Sequence, residues 1–387
     1  MKEGWEYKKL GEVCSFMSGY TPKKEELNNK SGVPYFKVSD MNRDENGYEM
    51  NRTELFVKRP KKIFPVGAII FPKNGGAIFT EKKRFLVCDS IIDLNTEAIL
   101  ANESFLKKEY LFYLLTKIKI STFDNGGGLP SVNIKKMCDY EICIPPLPEQ
   151  QSIVDYLDSA FAKIDALKAN AEKALNEAKA LFQASLKEML EPKEGWEEVE
   201  LKNLCKKTYN IRWDNVTDDK SYMYIDLTSV NRESLKITDP RRIVKSNAPS
   251  RAKQIVLTGD VIFATTRPTL RRLCEIVEQY NEQLCSTGYC VLRPRENVIS
   301  RWIFYCLQSD DFYSYIEPLQ TGANYPAVTD GIVKEYKIPV PTLSEQQSIV
   351  ATLDSLKSKV DRLQENFEKI SQECDALKQA ILKQVFE

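Results

Sequence analysis

The sequence predicts an α+β fold: two tandem mixed α/β domains, each followed by a long α-helix, with the two helices packing as an antiparallel coiled coil about a pseudo-two-fold axis. Three observations carry that expectation. The chain repeats itself once, each copy ends in a strand stopped by proline, and apolar residues spaced for a long helix follow each stop.

The repeat comes first, because an overlooked period misassigns a whole architecture. Lys2-Glu3-Gly4-Trp5-Glu6 returns as Lys193-Glu194-Gly195-Trp196-Glu197, and each copy leads through a leucine to a cysteine, Cys14 and Cys205. Gly67-Ala68-Ile69-Ile70-Phe71 answers to Gly259-Asp260-Val261-Ile262-Phe263, and Tyr110-Leu111-Phe112-Tyr113 to Trp302-Ile303-Phe304-Tyr305. Gly127-Gly128-Leu129-Pro130-Ser131-Val132 matches Gly322-Ala323-Asn324-Tyr325-Pro326-Ala327-Val328 around a shared proline. Glu149-Gln150-Gln151-Ser152-Ile153-Val154 then recurs letter for letter from Glu345 to Val350, with Leu157-Asp158 and Leu353-Asp354 following.

Each copy opens as a mixed domain. Short β-branched and aromatic runs, such as Pro34-Tyr35-Phe36-Lys37-Val38 and Met223-Tyr224-Ile225-Asp226-Leu227, are separated by Gly, Asn and Pro and read as strands and turns. A helix is expected near 107–117 and again near 300–308. The prolines of Ile144-Pro145-Pro146 and Val340-Pro341 end a strand in each copy, because proline has no N–H to give to a ladder. A helix must start just after. The division that follows is 1–148 and 193–344 for the two mixed domains, with 149–192 and 345–387 for the two helices.

In the second helix Leu353, Leu356, Val360, Leu363, Phe367, Ile370, Leu377 and Ile381 fall at alternating steps of four and three once Cys374 is included, a coiled-coil seam. The first helix keeps that phase with smaller residues, Ile153, Leu157, Ala160, Ile164, Leu167, Ala171 and Ala174. Small residues facing large ones let two helices interdigitate, so the pair is expected to pack together. The other reading is that each helix only covers its own domain. Two like domains on a paired rod suit a long, regular, roughly two-fold ligand, which points to double-stranded DNA with two half-sites.

Composition narrows the class. At 387 residues the chain exceeds one ordinary core, and no apolar run is long enough to span a bilayer. The N-terminal residues lack the basic, apolar and small-residue pattern of a secretory signal, which places the chain in the cytoplasm. Ten scattered cysteines without a CxxC read as small buried hydrophobes. Net charge is zero overall, but it is +4 over 1–147, −3 over 148–192, +1 over 193–341 and −2 over 342–387. The helices hold the acid, and the first domain has a basic excess that permits phosphate contact.

The repeated proline turn into Glu-Gln-Gln-Ser-Ile-Val, the Gly-Trp starts and the Gly-x-x-x-Phe strands resemble the specificity subunits of type I restriction-modification enzymes, the HsdS family, along nearly the whole chain. The resemblance implies two target-recognition domains, each reading one half of a bipartite, gapped site. It implies helices that dock two modification subunits, which bring S-adenosylmethionine and methylate adenine. Restriction subunits using ATP and Mg can join. No cofactor or metal is expected on this chain.

The resemblance carries over no fixed base-reading residues, so chemistry guides the choice. Base edges call for Arg, Lys, Asn, Gln, Ser or Thr on loops, and phosphates for Lys, Arg and backbone N–H groups. The candidates in the first domain are Ser18, Thr21, Lys23, Lys24, Lys37, Ser39, Lys73, Asn74 and the cluster Lys82, Lys83 and Arg84. In the second they are Arg212, Thr228, Ser229, Arg232, Thr265, Thr266, Arg267, Arg271 and Arg272, of which the run from Thr265 to Arg272 is favoured because three arginines follow a strand end. Each can equally be a solvated surface group.

Catalysis is not expected. The chain has no histidine, which removes Ser-His and Cys-His triads and the zinc-hydrolase motifs. The Asn/Asp-Pro-Pro-aromatic motif of an adenine methyltransferase is absent, and Asn125-Gly126-Gly127-Gly128 lacks the Lys-Ser/Thr of a phosphate-binding loop. Two other roles stay open at this point. One is a targeting partner for a fused nuclease-methyltransferase, and the other is a scaffold that binds polypeptides.

Overall fold

The computed structural model describes residues 4–43, 45–322 and 324–387. Lys2, Glu3 and Ala323 of the repeated motifs lie outside the described residues. The chain forms two compact units, one built from the residues up to Ala169 together with Ile370–Glu387, the other from Asn170–Lys369.

The repetition extends to strand order. In the first unit the main sheet runs Cys14–Ser18, Thr96–Ala101, Ile69–Pro72, Arg84–Leu86, Glu49–Met50. In the second it runs Cys205–Lys206, Tyr289–Pro294, Val261–Ala264, Leu273–Glu275, with no fifth strand among the described residues. Both central strands sit between two apolar layers, which is why they read as unbroken apolar runs rather than alternating ones. Ile69 and Phe71 face the layer that contains the helix Lys108–Lys117, while Ile70 faces Phe36, Met41 and Phe64 of the smaller sheet's side. Val261 and Phe263 face the helix Ser300–Cys306 in the same way, and Ile262 faces Ile225 and Val256. Gly67 and Gly259 lead into these strands at φ +83° and +84°, a left-handed turn that side chains resist, which accounts for the repeated Gly-x-x-x-Phe.

A second, four-stranded sheet in each unit contains one parallel pair, Val33–Phe36 with Ile91–Ile92 and Ser221–Ile225 with Gln283–Ser286. The first strand of each repeat pairs antiparallel with its last, Glu6–Lys9 with Glu141–Ile144 and Glu197–Glu200 with Lys337–Val340. Those last strands stop at the expected prolines. The long helices begin at Leu147 and Leu343, two residues ahead of the expected starts, and end at Leu190 and Phe386. Pro148 falls inside the first turn, where its missing N–H would have no partner anyway.

The helices pack antiparallel within each unit. In the first, Leu157, Phe161 and Ile164 share a buried cluster with Cys374 and Leu382, and Lys168 pairs with Asp375 at 3.6 Å. In the second, Phe182, Leu186 and Leu190 share a core with Val350, Leu353 and Val360, and Lys179 donates to Gln364 at 2.8 Å.

The seam's phase corrects the spacing argument. Ile153, Ala160 and Ala171 are half-buried, but Leu167 and Ala174 point to solvent. Phe161 and Leu175, one residue after Ala160 and Ala174, are buried, and so is Phe182 one heptad further on in the same phase. Both phases share Leu157, Ile164 and Ala171, and the structure selects the one whose intervening positions bury more hydrocarbon. On the second helix Leu353 and Val360 are buried and Leu356, Leu363, Phe367, Ile370 and Ile381 half-buried. Leu377 is half exposed, while neighbouring Lys378 lays its stem inward and donates to Asp165 and to the Tyr48 hydroxyl.

The ten cysteines are unpaired, and all but Cys88, Cys138 and Cys143 are buried. Burial pushes the thiols of Cys14, Cys205 and Cys274 up to about 12, so little thiolate exists at neutral pH. Iodoacetamide should therefore label Cys88 first and leave the seven buried thiols unmodified until the chain unfolds. Peptide mass spectrometry would read this out, and fast native labelling of Cys285 or Cys290 would contradict it.

Candidate nucleic-acid interface

Strand register gathers several of the candidate loops on one edge of the first unit. In the first unit Ser18 ends its strand opposite Glu97, and Pro72 ends the next but one opposite Thr96. Phe36 ends its strand beside Ile92, and the Asp93 N–H donates to the Phe36 carbonyl at 3.0 Å. The loops leaving this edge carry Thr21, Lys23, Lys24, Lys37 and Ser39, all exposed, and Asn74, which is half-buried. Lys37 holds its ammonium 6.0 Å from the Tyr35 ring centre.

Four of the candidates in this unit, Ser18, Lys73, Lys83 and Arg84, are engaged within the protein. Ser18 and Lys73 both turn onto the buried Glu97 carboxylate, at 2.6 and 3.1 Å. Lys83 is buried, where desolvation pulls its ammonium below the ordinary lysine range, and it pairs with Glu81 at 3.1 Å. Arg84 donates to the carbonyls of Asn46, Lys83 and Met41, closing the 41–46 loop against the sheet. Of that basic run only Lys82 reaches outward, and it bonds the Asn42 side chain. In sequence the run reads as a phosphate site because the carbonyls that satisfy it come from other loops.

In the second unit Arg212 and Arg232 are exposed. Thr228 and Ser229 follow the strand Ser221–Ile225 and both donate to Asp226, Thr228 at 2.6 Å from an exposed position and Ser229 from a buried one. Thr265 is also buried, its hydroxyl on the Gly288 carbonyl at 3.0 Å, so Ser229 and Thr265 are corrected from readers to supports. Thr266 is half-buried and bridges to Ala327.

Arg267 and Arg271 flank a short turn, Pro268–Leu270, and both have left-handed backbones, φ +50° and +54°. Non-glycine residues held there cost on the order of 1 kcal/mol or more, a strain that persists only when surroundings impose it. Arg271 is committed to Asp310 at 2.8 Å and lies 4.2 Å over the Tyr313 ring. Arg272 is half-buried, with its Nε unbonded. Arg267 is exposed, lies 4.9 Å over the Tyr325 ring, and has no carboxylate partner among the described residues.

The letter-for-letter repeat fastens domain to helix. Gln150 is fully buried, donates to the Phe105 and Pro145 carbonyls at 2.8 and 2.9 Å, and accepts from the Lys107 N–H at 2.8 Å. Gln346 does the same with Asn297, Pro341 and Ile299 at 3.1, 2.9 and 3.0 Å. The Trp5 indole donates to Glu149 at 3.0 Å, and Trp196 bonds Glu345. Tyr113 and Tyr305 donate to Asp158 and Asp354. These residues were visible as a motif, but nothing in the sequence alone revealed that they act as a joint. Among the described residues no group of acidic, cysteine or histidine side chains is arranged to hold a metal ion.

The family described as "Type I restriction modification DNA specificity domain" matches residues 2–177 and again 193–372. The chain belongs to this family. Among curated relatives, the type I restriction enzyme MjaVIII specificity subunit of Methanocaldococcus jannaschii is 24% identical, over 93% of this chain and 87% of the relative. The EcoKI specificity subunit of Escherichia coli K12 is 21% identical over 100% and 89%. A chain from a structure titled for complex assembly and conformational transition of the type I R-M system shares the fold, with TM-score 0.77, 22% identity and coverage of 100% and 98%. The HsdS subunit from Thermoanaerobacter tengcongensis matches with TM-score 0.54 at 22% identity, covering 100% and 97%. As a family member the chain is a DNA-specificity subunit, a role that leaves catalysis to other subunits, and neither the scaffold reading nor the fused-enzyme reading is favoured.

Proposed function

We propose that the chain directs a type I restriction-modification complex to a bipartite, gapped DNA site, with residues 1–148 and 193–344 each contacting one half-site. One observation supports this above the rest. The joints of the two repeats agree bond for bond, whereas their loop edges differ, Ser39 and Asn74 standing where the second copy has Thr228 and Thr266. A common frame with unlike edges is what two readers of unlike sequences require.

The helices 149–192 and 345–387 dock two modification subunits in this reading, and those subunits carry S-adenosylmethionine. Restriction subunits carry ATP and Mg, and the complex works in the cytoplasm. Thr21, Lys23, Lys24, Lys37, Ser39, Asn74, Lys82, Arg212, Thr228, Arg232, Thr266 and Arg267 are the contacts we assign to DNA.

Gel-shift titration against random duplexes should show weak binding that falls steeply with salt. Mapping methylated adenines in cells with the partner subunits present should then reveal half-sites centred roughly one helical turn, ~10 bp, apart. A single contiguous target would refute the bipartite reading.

A further inference from the structure

Two side chains that no candidate set includes stand out at the edge just described. Leu129 is 80% exposed and Tyr325 is 70% exposed, and they occupy the same place in the two repeats, immediately before the shared proline. A lone exposed apolar residue calls for no explanation. The same exposure on both copies of a clamped loop does.

The clamp is repeated atom for atom. The Gly75 N–H donates to the Pro130 carbonyl at 2.8 Å, and the Arg267 N–H to the Pro326 carbonyl at 2.7 Å. The Val132 N–H donates to Lys73 and the Val328 N–H to Thr265, at 2.8 and 2.9 Å, and both valines are buried. Gly126 and Gly322 turn each loop with φ of +70° and +96°. The loop is thus pinned on its downstream side to the strand-end loops that carry Asn74 in one unit and Arg267 in the other. Its tip side chain points away from the protein, and in the second unit a guanidinium lies 4.9 Å over its ring.

We propose that Leu129 and Tyr325 are the apolar tips that press on the base pairs of their respective half-sites. This rests on the DNA-reading role proposed above and names the residues that meet the bases rather than the phosphates. A hydrocarbon tip gains from contact with a thymine methyl or an opened base step, and a tyrosine ring stacks on a base face. Leu129 has nothing to offer a phosphate, and the Tyr325 hydroxyl is the one group of the two tips that could donate to one, which is why Tyr325→Phe belongs in the test. Arg267, over the Tyr325 ring, brings positive charge to the backbone beside that contact.

The test uses the full chain assembled with its modification subunits and a duplex bearing the methylated target, against a random duplex. Leu129→Ser and Tyr325→Ser should each reduce the ratio of specific to random affinity by about tenfold or more. The slope of log affinity against log salt should stay unchanged, because no phosphate contact is lost. Tyr325→Phe should keep the ratio, and thermal stability should match the parent because both side chains are exposed. An unchanged ratio in the serine variants, with a normal parent complex, would overturn this assignment and leave the DNA-reading role standing. A slope shallower by about one unit would overturn it too, by identifying a phosphate contact. A parent complex with no preference for the target would sink the reading role itself, and this assignment with it.

Discussion

Arg293→Leu should destabilise the second unit by about 3–5 kcal/mol, and adding Asp260→Ala should restore most of the loss. Arg293 holds the Asp260 carboxylate through two bonds of 2.9 and 2.8 Å, and Asp260 is 1% exposed. That carboxylate keeps the arginine above its ordinary pKa. Removing the arginine leaves a charge in the interior with, among the described residues, the Leu257 N–H as its remaining hydrogen-bond donor. The first repeat shows the alternative, because the matched positions there are Ala68 and Leu100, both within an apolar cluster. The chain therefore contains its own version of the charge-free pair. Urea denaturation of the two variants decides the matter, and a double variant as unstable as the single one would show that the pair does more than satisfy itself.

Gln346→Leu should cost about 3 kcal/mol, since it strands two carbonyls and one N–H at ~1–3 kcal/mol for each that water fails to reach. Those three groups belong to the 297–299 turn and the Pro341 stop, the two segments that flank the second long helix. Gln150→Leu should cost a similar amount in the first unit, where the geometry is the same. Differential scanning calorimetry would detect both losses. A loss below about 1 kcal/mol in either unit would mean that solvent enters the joint.

Much of the architecture was legible because the residues that make the joints are the residues repeated in the sequence. Gln150 and Gln346, and the aspartates after Leu157 and Leu353, are identical because each makes the same bonds. The helix seam was only half legible. Leu157, Ile164 and Ala171 serve either of two phases, and the choice depends on Phe161, Leu175 and Phe182 filling space that Ala160 and Ala174 leave. The loop edges were the least legible part. A polar residue at a strand end announces itself, but its partner across the sheet does not, so Ser18 and Lys73 reveal their inward role only beside Glu97. Leu129 and Tyr325 carried the opposite signal, hydrocarbon within a turn rich in Gly and Asn, and a search restricted to polar side chains passes over it.

The first unit takes its final pieces, Ile370–Glu387, from residues made after everything in the second. A nascent chain therefore has all of the second unit in hand before it can close the first, the reverse of the order in which the two recognition domains leave the ribosome. Until those last residues arrive, Leu157, Phe161 and Ile164 lack the cover that Cys374 and Leu382 provide. A translation product halted near Lys369 would lack Cys374 and Leu382 and leave that apolar strip open to water.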